Sequence, residues 1–112
     1  MKKLTNRIRV FRVTADGRCL LTYIPWHIQC VRNLIGGPLD TINLFNRCMY
    51  LTTYIHRMDK TSKLEPNKLI NGVYGDVVIC AGLNGVLKDL SDEQYKFLIN
   101  VFCKKKEGAN VG

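Results

Sequence analysis

His56, Arg57, Met58, Asp59 and Lys60 form the one short stretch in which an imidazole, a carboxylate and two cations lie side by side. In that pattern His56 is a candidate general base that Asp59 would orient, the arrangement a proton transfer requires. No nucleophile or oxyanion motif accompanies the pair, so the cluster reads as a binding element and no catalytic residue is assigned; a small enzyme built on His56 and Asp59 is the last of three readings. The glycines at 36, 37, 72, 75, 82 and 85 lack the spacing and the Lys-Ser/Thr ending of a phosphate-binding loop.

The second concentration of chemistry is basic. Lys2, Lys3, Arg7, Arg9, Arg12 and Arg18 face only Asp16 within the first eighteen residues. On an extended strand Arg7 and Arg9 point the same way about 6.8 Å apart, close to the spacing of phosphates along a nucleic-acid backbone. The competing reading is an edge strand that carries arginine to discourage strand addition. Tyr50 and Tyr54, with Thr52 between them, share one face of a strand and can either stack on nucleobases or pack beneath a helix. The candidate partner-binding residues are therefore Arg7, Arg9, Arg12, Arg18, Tyr50, Tyr54, His56, Arg57, Lys60 and, late in the following loop, Asn67.

Metal chemistry finds no support in the spacing. Five cysteines, at 19, 30, 48, 80 and 103, form no Cys-x-x-Cys pair, and His27 and His56 are isolated from them. The cysteines read as small apolar side chains, and no metal or cofactor is expected.

These residues need a scaffold. A chain of 112 residues with 46% hydrophobic and 23% charged content builds one core. The expected organisation is a single domain over 1–106 and a flexible tail over 107–112. Seventeen Lys and Arg against nine Asp and Glu give a net charge of +8, which favours anionic partners and excludes a mimic of nucleic acid. No apolar stretch is long enough to span a bilayer and the N-terminus lacks a signal-peptide core, so a cytoplasmic protein without membrane contact is expected.

The elements follow from local pattern. Arg7 to Val13 and Cys19 to Ile24 read as a hairpin about Asp16-Gly17, with a bulge near Val10 and Phe11 where the apolar phase switches. Pro25 opens a helix with Ile28, Val31, Leu34 and Ile35 at helical spacing, and Gly36-Gly37-Pro38 ends it. Leu39 to Phe45 and Cys48 to Ile55 form a second hairpin about Asn46-Arg47. His56 to Gly75 has loop composition, and a connection that long is a natural place for a site. Asp76 to Ala81 is a buried strand that Asn84-Gly85 turns back as a third hairpin. Ser91 to Gln94 is a capping box opening a helix with Tyr95, Leu98, Ile99 and Phe102 on its apolar face, and Lys104 to Lys106 match the carbonyl end of its dipole. The fold expected is α+β, a largely antiparallel sheet of hairpins with two helices.

Leu34-Ile35-Gly36-Gly37, Pro66-Asn67, Asp76-Val-Val-Ile with Gly82, and Leu90-Ser91-Asp92-Glu93-Gln94 occur in an order that resembles the family called domain of unknown function 3846, over Val31 to Phe102. Where that family often carries an Asn-Glu pair with a following Gly-Lys, this chain has His56-Arg57 and Asp59-Lys60. The resemblance transfers no activity. It implies a setting among accessory genes of phages and mobile elements, whose small proteins often bind and inhibit host components. With the charge, this gives the expectation of a non-catalytic counter-defence inhibitor of the anti-CRISPR kind. Its partner would be a host defence protein, a nucleoprotein effector or a nucleotide signal. The alternative is a nucleic-acid-binding regulator of a mobile element, and open sheet edges admit a homodimer.

Overall fold

In the computed structural model, residues 7–45, 48–58 and 63–104 are described. β1 (Arg7–Val13) and β2 (Cys19–Pro25) pair antiparallel from Arg7 opposite Pro25 to Val13 opposite Cys19. Gly17, at φ 95°, makes the reversal possible, and the Thr14 N–H donates to the Arg18 carbonyl at 2.8 Å. α1 (Ile28–Ile35), β3 (Leu39–Ile42), β4 (Leu51–His56), β5 (Val77–Ala81) and α2 (Asp92–Ile99) follow. The strands form one antiparallel sheet in the order β2-β1-β5-β4-β3, so the chain is α+β with two helices.

A helix covers each face of this sheet. Ile8, Val10, Val78, Cys80 and Tyr54 pack with Val31 and Ile35 of α1. Phe11, Val13, Val77, Ile79, Ala81 and Leu51 pack with Leu98 of α2 and with Phe102, which a π-helical turn at Asn100–Lys104 carries inward. Residues of opposite parity on one strand thus enter opposite cores. This removes the expected bulge: Ile8 and Val10 serve one layer, Phe11 and Val13 the other, and the β1–β2 register runs unbroken. All five residues of β5 are buried for the same reason.

α1 begins at Ile28, not at Pro25. Pro25 is the last residue of β2, and His27 stands at the N-cap without a side-chain cap. The C-terminus is as the glycines require, with Gly36 left-handed at φ 95° and its N–H on the Arg32 carbonyl. α2 carries the full capping box between Ser91 and Gln94.

Three further expectations change. β3 and β4 are shorter than their apolar runs, and between them Met49 and Tyr50 take positive φ at 61° and 55°. The proposed Asn46-Arg47 turn lies outside the described residues. Asn84 and Gly85 do make a tight turn at φ 57° and 83°, but the returning segment pairs with β5 only at the bridge between Ala81 and Lys88 and then passes to β1, where the Leu90 N–H donates to the Arg9 carbonyl at 3.3 Å, so no third hairpin forms. The stretch before β5 is not bare loop: Pro66 bridges Tyr74, and Ile70 and Val73 enter the α2-side core. No helix among the described residues is long and apolar enough to cross a membrane.

Candidate binding groove

Most of the residues singled out by type are already engaged within the fold. β1 lies between β2 and β5 over Phe11–Val13, and the Asp89–Leu90 segment takes the place of β5 beside Arg9, so neither Arg9 nor Arg12 lines an outer edge. The Arg9 guanidinium spans Asp92 at 3.2 Å, Asp89 at 3.5 Å and the Leu90 carbonyl, while its own N–H meets Asp89 at 2.5 Å. Those carboxylates raise the Arg9 pKa, the Asp92 hydrogen bond most of all. Arg12 reaches Asp76 at 2.8 Å. Arg18 reaches Asp16 at 3.2 Å, and the Thr14 hydroxyl above all, then Arg18, holds the Asp16 carboxyl below its usual range. Arg7 is exposed with no carboxylate beside it among the described residues.

Asn67 is a fastener. Its Nδ2 donates to the carbonyls of Val13 at 3.3 Å, Thr14 at 3.4 Å and Gly75 at 3.0 Å, and its Oδ1 accepts from the N–H groups of Leu69 at 2.9 Å and Ile70 at 3.1 Å. The side chain, 6% exposed, has no capacity left for a ligand. His56 pairs opposite Leu39, places Nδ1 2.7 Å from the Arg57 carbonyl, and packs its ring so closely on Gly37 that a Cβ there would lie 2.5 Å from Nε2. Arg57 donates to the carbonyl of Leu39 at 3.2 Å. Asp59 and Lys60 lie outside the described residues.

The two tyrosines part company. Tyr50, before β4, accepts the Gly82 N–H on its carbonyl at 2.9 Å and leaves its side chain 70% exposed; Tyr54 lies opposite Thr41 and Val78, buried beneath α1. Burial, and then the neighbouring Cys80, raises the Tyr54 pKa. Both tyrosines still border cavities, Tyr50 a smaller one of about 370 Å³ beside Gly82 and Gln94, and Tyr54 the wider one beside α1. A groove of about 840 Å³ runs between α1, which contributes Ile28 and Arg32, and the β3–β4 face, which contributes Thr41, Thr52 and Tyr54; the Leu83-Asn84-Gly85 turn closes its end. That volume accommodates a small organic ligand.

The groove is amphipathic. Arg32 is exposed, and among the described residues no carboxylate lies within ion-pair distance of its guanidinium. Thr52 donates its hydroxyl proton to the Gly82 carbonyl at 2.6 Å, which leaves the oxygen able to accept. Asp40, at the rim, turns its carboxylate onto the N–H of Thr41 at 3.0 Å. Ile28, 44% exposed, supplies an apolar wall. The sequence does not single out Arg32 and Thr41, and it marks Thr52 and Asn84 only as a strand position and a turn. The available signal was the four-residue spacing of Ile28 and Arg32, which puts both on one flank of α1 beside the buried stripe of Val31 and Ile35.

No family model, no curated protein and no solved structure matches the chain.

Proposed function

We propose that the chain is a non-catalytic binding protein that engages an anionic partner in the groove beside α1. The observation that carries this reading is Arg32: a guanidinium with no described carboxylate partner, on the wall of a cavity that also offers the Thr52 oxygen, the Asn84 amide and the Tyr54 ring. A guanidinium fork matches phosphate and carboxylate groups, and the aromatic and aliphatic walls suit an organic body attached to one. The net charge of +8 favours encounter with such a partner. The setting proposed is a phage or mobile element, with the protein acting against host defence by holding a nucleotide signal or a nucleoprotein effector. That part rests on the residue pattern from Leu34 to Gln94.

The test is native mass spectrometry of the protein recovered from bacterial lysate, with and without a denaturing step, for wild type and Arg32→Ala. A small nucleotide or a nucleoprotein released from wild type and absent from Arg32→Ala supports the reading. Bulk nucleic acid that leaves at moderate salt replaces it with a regulator of nucleic acid. A ligand-free wild type sinks it, as does a ligand retained equally by Arg32→Ala.

A further inference from the structure

We propose that two copies of this chain join through β2, edge to edge and antiparallel, into one continuous sheet. Among the described residues the outer strands of the sheet are β2 and β3, and they are protected unequally. β3 is four residues long, follows Pro38 and carries Asp40, all features that discourage strand addition. β2 is seven residues long, and its sequence Cys-Leu-Leu-Thr-Tyr-Ile-Pro holds no charge. In a chain of net charge +8, that is the edge along which two copies meet without opposing like charges. Arg18, just before the strand, is neutralised by Asp16 at 3.2 Å.

The backbone phase of β2 is fixed by its hairpin. The Thr14 N–H bonds the Arg18 carbonyl, so alternate residues onward, Leu20, Thr22 and Ile24, turn their main-chain groups toward β1. β1 confirms the phase from its other side: the N–H of Arg9 goes to Asp89 and its carbonyl accepts from Leu90 at 3.3 Å, both away from β2. Leu21 and Tyr23 therefore present N–H and C=O to the open edge. With the two-fold axis at Thr22, Leu21 of one copy exchanges main-chain hydrogen bonds with the partner's Tyr23 and the reverse, while the two Thr22 side chains meet at the axis. Tyr23, 56% exposed in the single chain, gains an aliphatic cross-strand neighbour in Leu21. Self-pairing closes the β2 edge of both copies with one two-fold interface, which is why a second copy fits this edge. β2 lies at the opposite edge of the sheet from the β3 side of the groove, so this pairing stands independently of the proposed ligand.

The full chain is examined by light scattering through a dilution series, and by residue-resolved amide exchange at the two ends of that series. The expected mass at high concentration is twice 12.8 kDa. Exchange at Leu21 and Tyr23 is expected to be at least about tenfold slower there than in dilute protein. Tyr23→Lys, which puts a like charge at both contacts, is expected to run at 12.8 kDa with an unchanged circular dichroism spectrum. A wild type of single-chain mass at every concentration overturns the proposal, and so does a dimer whose Leu21 and Tyr23 amides exchange as fast as in dilute protein. Should Tyr23→Lys fail to fold, the wild-type exchange data decide alone.

Discussion

Arg12 Nη2 lies 2.8 Å from Asp76 Oδ2, and the other Asp76 oxygen accepts the N–H of Ala15 at 2.9 Å. One carboxylate thus ties the end of β1 and the start of its turn to the residue that leads into β5. Asp76→Ala leaves a half-buried guanidinium and an amide unpaired together, and the expected loss is about 2 kcal/mol of unfolding free energy. Urea denaturation checks it, and a loss within error of zero would show that the pair is incidental.

Asn67 carries a larger share of the fold. Asn67→Ala removes the amide from three carbonyls and two N–H groups, of which the Thr14 carbonyl still keeps the Gly17 N–H, and destabilisation of about 3 kcal/mol is expected. Asn67→Asp keeps the acceptor toward Leu69 and Ile70 but turns an oxygen on the three carbonyls. Its thermal midpoint should fall further at pH 7 than at pH 4, where a protonated carboxyl can donate once. Equal losses at both values would contradict the assigned amide orientation.

Arg9 and Arg32 separate folding from binding. Arg9→Ala breaks the clamp on Asp89, Asp92 and Leu90, and should lower the thermal midpoint while any captured ligand is retained by the folded fraction. Arg32→Ala should leave the midpoint within about 3 °C, as exposed substitutions away from special contacts do, and abolish capture. The reverse assignment of effects would move the binding surface to β1.

Alkaline pH has a defined sign. Burial pushes the Cys80 thiol from its ordinary 9.0 up to about 12, so the unfolded chain gives up this proton first. The stabilising contribution is whole below pH 9 and declines as pH rises from there toward 12, at up to about 1.4 kcal/mol per pH unit for one group. Tyr54, whose pKa burial also raises, acts in the same direction above 10.0. Stability measured from pH 8 to 11 should fall less steeply in Cys80→Ala than in wild type, despite the lower starting value of that variant. Parallel slopes would refute the burial argument.

Among the described glycines Gly82 has the least room. At φ 105° it passes so close to the returning chain that an added Cβ would stand 2.1 Å from the Val86 carbonyl oxygen. Gly82→Ala should cost about 3 kcal/mol or prevent folding, whereas Gly72→Ala, at a positive φ but in open space, should cost about 1 kcal/mol.

Local signals carried much of the architecture. Asp16-Gly17, Gly36-Gly37-Pro38 and the Ser91–Gln94 box each act over three or four residues, and each lies where its chemistry places it. What the sequence hid depends on the second layer. The phase switch between Val10 and Phe11 looks like an irregularity until helices cover both faces, and the Tyr50–Tyr54 spacing implied a shared face until Met49 and Tyr50 proved left-handed. The arginines near the N-terminus looked surplus because Asp76, Asp89 and Asp92, which neutralise Arg12 and Arg9, lie more than sixty residues away in sequence. Arg32 looked ordinary because nothing local shows that it borders a groove.

The strand order places the last strand made at the centre. β1–β2 and β3–β4 are each joined by short connections and can form early, but between them lies a slot that only β5 fills. Until Val77–Ala81 arrives, neither helix has a complete surface to rest on. The sheet is completed as an arch is by its keystone, through contacts far apart in sequence, and pairings of that kind form more slowly than local ones. During synthesis two hairpins must wait with open edges, and that waiting period is when this protein is most exposed to aggregation and to proteases.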